Sequence, residues 1–119
     1  MYTGSLAPAS NREDLIITSP LIDDDGNAVL LTNADLYFYI CRQGCPNDVL
    51  VSGEYVDGVS DGKMALVDSD LAWQVQFVPD DMGRLCAGTY DVFMRCVISN
   101  TTTQIIAATI PIVEGGPNG

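Results

Sequence analysis

Apolar and polar residues alternate along most of the chain with a period of two. Turn residues, mainly Gly, Asp, Asn and Pro, interrupt this alternation about every eight to twelve residues. Such spacing is typical of an all-β sandwich, because each strand then has one buried and one exposed face. The segments that the pattern predicts as strands are 14–22, 28–31, 35–42, 49–51, 63–67, 71–77, 89–99 and 103–113.

Segment 35–42 is apolar on both faces, so we expect it in the centre of a sheet. One face carries Leu36, Phe38 and Ile40, and the other carries Tyr37, Tyr39 and Cys41. Segment 14–22 contains Pro20, which indicates an edge strand or a bulge, because proline has no backbone N–H to donate to a neighbouring strand.

The last two segments predict a hairpin that turns at residues 100–102. Its first strand places Tyr90, Val92, Met94, Cys96 and Ile98 on the inward face. Before this hairpin, residues 79–85 predict one short helical turn, since Pro79 suits the first position and Asp80 and Asp81 follow it where the helix dipole favours acids.

The two ends of the chain differ from its middle. Residues 1–11 are small, polar and interrupted by proline, and residues 115–119 are rich in glycine. We therefore expect an extended N-terminal arm over 1–11, one β-sandwich over 12–114 and a C-terminal tail over 115–119. Arms of this kind either fray or lie against a neighbouring subunit.

Residues 88–92 read Gly-Thr-Tyr-Asp-Val, which has the form of a tyrosine corner. In that motif a tyrosine at the start of a late strand, here Tyr90, bonds back to the backbone across the preceding turn. Together with the aromatic strand near Phe38 and the tryptophan strand near Trp73, it predicts an immunoglobulin-like antiparallel sandwich of about seven strands. A small barrel is the alternative fold.

Composition excludes several classes of function. The 119 residues include five Lys plus Arg, sixteen Asp plus Glu and no His, for a formal net charge of −11. Without histidine there is no imidazole acid–base catalyst, no serine–histidine pair and no Cys₂His₂ zinc site. Strongly negative charge also opposes binding to a phosphate backbone. We predict a domain that is not an enzyme, with no nucleic acid partner.

The acidic clusters predict turns rather than metal sites or paired catalytic carboxylates. Residues 23–26 read Asp-Asp-Asp-Gly, but a calcium loop of the EF-hand type would require a Glu where this chain has Ala34. Asp57, Asp61, Asp80 and Asp81 also lie in polar turns, whereas catalysis by paired carboxylates requires one buried acid. We therefore predict no metal and no cofactor.

The four cysteines are Cys41, Cys45, Cys86 and Cys96, and their spacing fits zinc ligation poorly. Cys96 lies on an inward face and is expected to be a buried thiol. The other three lie at a strand end or in loops, where a partner can reach them, so they are candidates for disulfide crosslinks between subunits. The sequence leaves the connectivity open, including bonds within the chain.

A further pattern lies in residues 11–16 (Asn-Arg-Glu-Asp-Leu-Ile), 23–26, 85–92 (Leu-Cys-Ala-Gly-Thr-Tyr-Asp-Val), 102–106 (Thr-Thr-Gln-Ile-Ile) and 111–116 (Pro-Ile-Val-Glu-Gly-Gly). Together these segments resemble small proteins of tailed bacteriophages of about this length. The resemblance covers most of the chain and includes the immunoglobulin-like N-terminal domain of phage baseplate upper proteins.

This resemblance implies a virion structural protein of the neck, collar, tail or capsid surface. Its expected partners are other virion proteins and copies of itself in a symmetric assembly. The N-terminus lacks the basic and apolar regions of a signal peptide, so we expect synthesis in the host cytoplasm and a final location in the virion, without membrane association. The alternative function is a host- or carbohydrate-binding module, in which Tyr37, Tyr39 and Tyr55 form an exposed aromatic platform.

Overall fold

The chain folds into two β-sheets that pack face to face. The structure is a computed structural model, and it describes residues 2–23 and 25–115. Its elements are β1 (Tyr2–Ser5), β2 (Ala9–Ser10), β3 (Leu15–Pro20), β4 (Asp35–Arg42), β5 (Val49–Val56), β6 (Val59–Ser60), β7 (Met64–Val67), β8 (Ala72–Phe77), α1 (Pro79–Met82), β9 (Gly88–Ile98) and β10 (Thr101–Val113). The prediction of an all-β sandwich with one short helical turn is confirmed.

The larger sheet has the strand order β1-β10-β9-β4-β5-β6, and β2 also pairs with β10. The smaller sheet has the order β3-β8-β7. Strand β4 lies between β9 and β5, as its two apolar faces predict, and it begins and ends at the predicted residues.

The core lies between the two sheets and is built from the inward positions of the alternating pattern. Phe38 of β4 packs against Trp73 and Phe77 of β8, with ring centroids 6.3 and 5.8 Å apart. Val92, Met94 and Cys96 of β9 add to the same cluster. Burial of these side chains supplies the main stabilisation of the sandwich, since apolar area removed from water is the dominant favourable contribution to folding.

The helix and the final hairpin differ slightly from their predicted bounds. Helix α1 covers Pro79–Met82 and places Met82 in the core, while Gly83 and Arg84 form a turn that ends it. The hairpin turns at Ser99 and Asn100, whose φ angles are 50° and 65°. Two consecutive positive φ angles are typical of the tight turns that join neighbouring antiparallel strands, and they allow β10 to begin two residues earlier than expected.

The predicted returning strand at residues 28–31 is wrong. Ile22 and Ala28 form an isolated bridge, and the N–H of Val29 donates to the carbonyl of Leu21 at 2.8 Å, but the chain forms no strand here. Leu31 is fully buried, and its backbone N–H donates to the carbonyl of Asp70 at 2.8 Å. This apolar residue therefore fills the core from a loop, which a short apolar run in the sequence does not distinguish from a strand.

The N-terminal segment lies along its own chain. Strand β1 pairs in parallel with β10, where Tyr2 is opposite Ile106, and β2 pairs in parallel with the end of β10. These parallel pairs depart from the antiparallel arrangement predicted for the whole sandwich. The predicted tail over residues 115–119 is described only at Gly115, so the rest of it lies outside the described residues.

Asn11 anchors this segment, and it is buried, with 2% of its surface exposed. Its side-chain amide donates to the carbonyl of Leu85 at 3.0 Å and to Glu114 Oε2 at 3.2 Å, and it accepts the N–H of Gly115 at 2.9 Å. These four residues, which we call the Asn11 cluster, join both ends of the chain to the loop before β9.

Candidate interaction surface

The outer face of the larger sheet carries a group of aromatic side chains around one arginine. Tyr37 and Tyr39 lie on the outward positions of β4, while Phe93 and Arg95 occupy the outward positions of β9. The register of the two strands places Tyr37 opposite Arg95 and Tyr39 opposite Phe93. Side chains at paired positions of neighbouring antiparallel strands share a face, so the four form one contiguous patch, which we call the tyrosine face.

The tyrosine face is held together by ring stacking and by a cation–π contact. The rings of Tyr37 and Tyr39 are stacked, with centroids 6.5 Å apart and planes 20° apart. The guanidinium carbon of Arg95 lies 4.7 Å from the ring centroid of Tyr37 and 5.9 Å from that of Tyr39. At an exposed site such a contact contributes about 0.5–1 kcal/mol, enough to favour this arginine rotamer over an extended one.

Hydrogen bonding and charge define the chemical character of the face. The hydroxyl of Tyr39 lies 3.4 Å from Glu54 Oε1, in position to donate to it. Burial, followed by the charge of Glu54, raises the pKa of the Tyr39 phenol above its ordinary value. The phenol is therefore neutral and able to donate at physiological pH, beside a permanent cation in a chain with a net charge of −11.

An open pocket of about 420 Å³ adjoins the tyrosine face. Tyr39, Phe93 and Arg95 line it, together with Pro46, Asn47, Val49 and Gln104. The side-chain amide of Gln104 donates to the carbonyls of Met94 and Ile106, at 3.0 and 2.6 Å, across the irregular register of β10. The pocket thus combines aromatic rings with amide and guanidinium groups.

Tyr55 does not belong to this face, so the predicted platform of three tyrosines is wrong. It lies opposite the buried Leu36 in the pairing of β5 with β4, and it packs against the core from the inward side. The sequence reasoning also missed Phe93 and Arg95. Their outward position follows from the inward assignment of Val92 and Met94, but their place beside the tyrosines depends on the strand register.

The four cysteines, all within the described residues, are free thiols. Cys45 and Cys86 are exposed in loops. Cys96 lies in the core, where burial, followed by the charge of Asp35, raises its pKa to about 11. The arrangement gives no support to a disulfide within the chain.

The prediction that Cys41 is reachable by a partner subunit is wrong. Its surface is 1% exposed, because the loop after β4 covers it, and its sulfur lies 3.5 Å from the carbonyl oxygen of Pro46. Burial, with smaller effects of Asp91 and Asp48, raises the pKa of its thiol. Cys41 does lie on the same face of β4 as Tyr37 and Tyr39, as predicted, but the loop after β4 covers that face at Cys41.

Tyr90 and the acidic turns have local structural contacts. The hydroxyl of Tyr90 donates to the carbonyl of Cys86 at 2.8 Å, which is the bond that defines a tyrosine corner. Asp23 Oδ1 accepts the backbone N–H groups of Asp25 and Asn27, at 3.0 and 2.9 Å. Asp61 Oδ1 likewise accepts the backbone N–H groups of Lys63 and Met64, where the turn leads into β7, so these carboxylates stabilise turns.

Within the described residues, no group of three or more carboxylate or cysteine side chains is arranged to hold a metal ion. No helix in that part of the chain has the length and apolar character needed to cross a membrane. Neither a comparison with protein-family models nor one with curated proteins found a match to this chain.

Proposed function

We propose that this chain is a structural subunit of a bacteriophage particle, in the neck, collar or tail or on the capsid surface. It binds neighbouring virion proteins, through the tyrosine face, and performs no catalysis. The sequence resemblance motivates the assignment to a virion. The observation that carries the binding role is the cluster of Tyr37, Tyr39, Phe93 and Arg95 on an outward sheet face.

The composition of the tyrosine face supports a protein contact. Tyrosine and arginine are enriched at the centres of protein interfaces, because they bury a large area and still make directional polar bonds. Central strands β4 and β9 hold these side chains on a rigid sheet, so little conformational entropy is lost on binding.

The acidic surface supports selectivity for protein over DNA. Carboxylates in the turns repel packaged DNA and attract basic patches on neighbouring proteins. Many copies on a symmetric particle then bind collectively, even where each contact is weak. Disulfide crosslinks through Cys45 or Cys86 remain a prediction, and gel electrophoresis of native particles without reductant tests it: only monomer bands would exclude them.

Association with particles is the test of the proposed function. We expect the chain to remain with purified particles at symmetry-related positions, and the Arg95→Glu variant to bind particles lacking the chain at least about tenfold more weakly. Arg84→Glu is the matched control, because it makes the same charge change at an exposed turn after α1. Equal loss in both variants would assign binding to net charge and refute the role of the tyrosine face.

A carbohydrate-binding role is the second candidate, and the pocket beside the tyrosine face favours it. Aromatic rings suit the apolar face of a sugar, and Asn47 and Arg95 offer donors to its hydroxyl groups. A glycan array with the purified chain tests it. If the chain bound a glycan, lost that binding in the Tyr39→Ala variant and did not associate with particles, the carbohydrate-binding role would be favoured over the virion role.

A further inference from the structure

The sandwich is closed along one side and open along the other. On the closed side, the hydroxyl of Ser60 in β6 donates to the carbonyl of Met64 in β7 at 2.5 Å, which joins the larger sheet to the smaller one. On the opposite side, β3 is the edge of the smaller sheet, and β8 is its only strand partner within the described residues. One edge of β3 therefore offers backbone donors and acceptors to a further strand.

A groove runs along this open edge, between β3 and the segment that joins β1 to β2. It consists of two adjoining hollows of about 350 and 200 Å³, which share Leu6 and Ile17. Leu15 and Ile110 line the first, while Trp73 lines the second. The groove is thus apolar along its length, unlike the solvated turns elsewhere on the surface.

Trp73 supplies a separate indication that something binds there. It is 1% exposed, and its indole nitrogen Nε1 is a buried donor with no hydrogen-bond partner among the described residues. A buried donor without a partner costs about 1–3 kcal/mol, so such groups are rare unless a ligand or water satisfies them. A carbonyl group entering the groove is the type of acceptor that an indole N–H requires.

The charges at the two ends of β3 indicate the chemistry of the segment that the groove binds. Exposed Glu13 and Asp14 precede the strand, and exposed Asp23 and Asp25 follow it. A second copy added to β3 in either direction would bring carboxylates against carboxylates, and each copy carries a net charge of −11. Basic groups flanking an apolar segment would instead face these acids.

We propose that the groove binds an extended segment of another protein, with apolar residues at alternate positions and lysine or arginine at both ends, which adds to β3 as a further strand. The six residues of β3 span about 20 Å, so the added strand has about five or six residues. Main-chain hydrogen bonds to β3 provide affinity, and the groove selects alternate apolar side chains. This surface is distinct from the tyrosine face and does not depend on its function.

A synthetic peptide tests the proposal directly. The probe alternates valine and threonine between paired lysines, and its binding is followed by the fluorescence of Trp73, the single tryptophan of the chain. We expect saturable binding with a change in emission. A scrambled peptide of the same composition, which breaks the alternation, and a peptide flanked by glutamates are both expected to bind at least about tenfold more weakly, since a tenfold change corresponds to about 1.4 kcal/mol.

A matched pair of variants locates the binding site. Ile17→Lys places a cation in the groove and is expected to weaken binding of the lysine-flanked peptide at least about tenfold. Val59→Lys makes a comparable change at β6, on the far edge of the larger sheet, and is expected to have no effect. Circular dichroism checks that both variants are folded.

Three results of the peptide experiments would overturn the proposal. They are no change in Trp73 emission at saturating peptide, equal binding of the scrambled or glutamate-flanked peptide, and an equal effect of the two variants. The peptide comparisons use the unmodified protein, so they decide the matter even if Ile17→Lys does not fold. Self-association of the chain through β3, measured by analytical ultracentrifugation and abolished by Ile17→Lys, would also overturn it by assigning the groove to a second copy.

Discussion

Replacement of Asn11 by alanine tests whether the Asn11 cluster holds the ends of the chain in place. The substitution removes the two hydrogen bonds that the side-chain amide donates and the one that it accepts. Leu85 is fully buried, so its carbonyl is left without this partner where water does not reach. Glu114 and Gly115 are exposed, and water can replace the bonds that they lose.

The expected loss of stability follows from these differences in burial. The orphaned carbonyl of Leu85 accounts for about 1–3 kcal/mol, and the two exposed bonds add about 0.5 kcal/mol each, so the expected loss is about 2–4 kcal/mol. For 119 residues the entropy of unfolding is about 0.25 kcal/mol/K, so each kcal/mol lowers the melting temperature by about 4 °C. The Asn11→Ala variant should therefore melt about 8–16 °C below the unmodified protein.

Chemical denaturation and thermal melting, followed by circular dichroism, measure this effect. Asn33→Ala is the matched control, because Asn33 is exposed on a turn and its loss should change stability by less than about 0.5 kcal/mol. If Asn11→Ala were no less stable than the control, the buried bond to Leu85 would contribute nothing, and the reasoning from burial would fail.

Three further predictions concern the thiols and the tyrosine corner. Exposed Cys45 and Cys86 should react rapidly with a thiol reagent, whereas buried Cys41 and Cys96 should react only when the protein unfolds. If Cys41 reacted as fast as Cys45 in the folded protein, the result would contradict the burial of Cys41. The Cys96 thiol has an ordinary pKa of 9.0 and a folded pKa of about 11, so the unfolded state loses its proton first, and the free energy of unfolding should fall as pH rises across that interval. Urea unfolding as a function of pH should show a shallower decline for Cys96→Ala. An unchanged decline would exclude Cys96 as the cause. Tyr90→Phe removes the bond to the carbonyl of Cys86 and should lower the free energy of unfolding by about 1 kcal/mol, which an unchanged thermal melt would disprove.

Local patterns in the sequence predict much of the fold. Strand β4 begins and ends at the predicted residues because its alternation is strong and turns flank it on both sides. Helix α1 follows from Pro79 and the acids after it. The pairing of β1 with β10 was not predictable in this way, since Gly4 and Pro8 weaken the strand pattern and the partner lies about one hundred residues away along the chain.

For the tyrosine face, too, local sequence patterns predict some positions, whereas others depend on contacts between distant parts of the chain. The outward positions of Tyr37 and Tyr39 follow from alternation alone. The place of Arg95 over their rings depends on the register of β9 against β4, which the sequence of either strand does not fix. Cys41 was misjudged for a related reason, because the cover over it comes from a loop rather than from its own strand.

The Asn11 cluster also connects the stability of the chain to the groove beside β3. The wall of that groove includes Leu6 and Pro8, between β1 and β2, and Asn11 anchors the segment immediately after β2. The tyrosine face, by contrast, lies on β4 and β9, and neither of these strands pairs with β1 or β2. At a temperature where the variant remains folded, Asn11→Ala should therefore weaken binding of the lysine-flanked peptide to the groove. The association with particles that depends on Arg95 should not change. Loss of both activities would mean that the two surfaces depend on one cooperative unit, whereas loss of neither would mean that β1 and β2 stay in place without the bonds from Asn11.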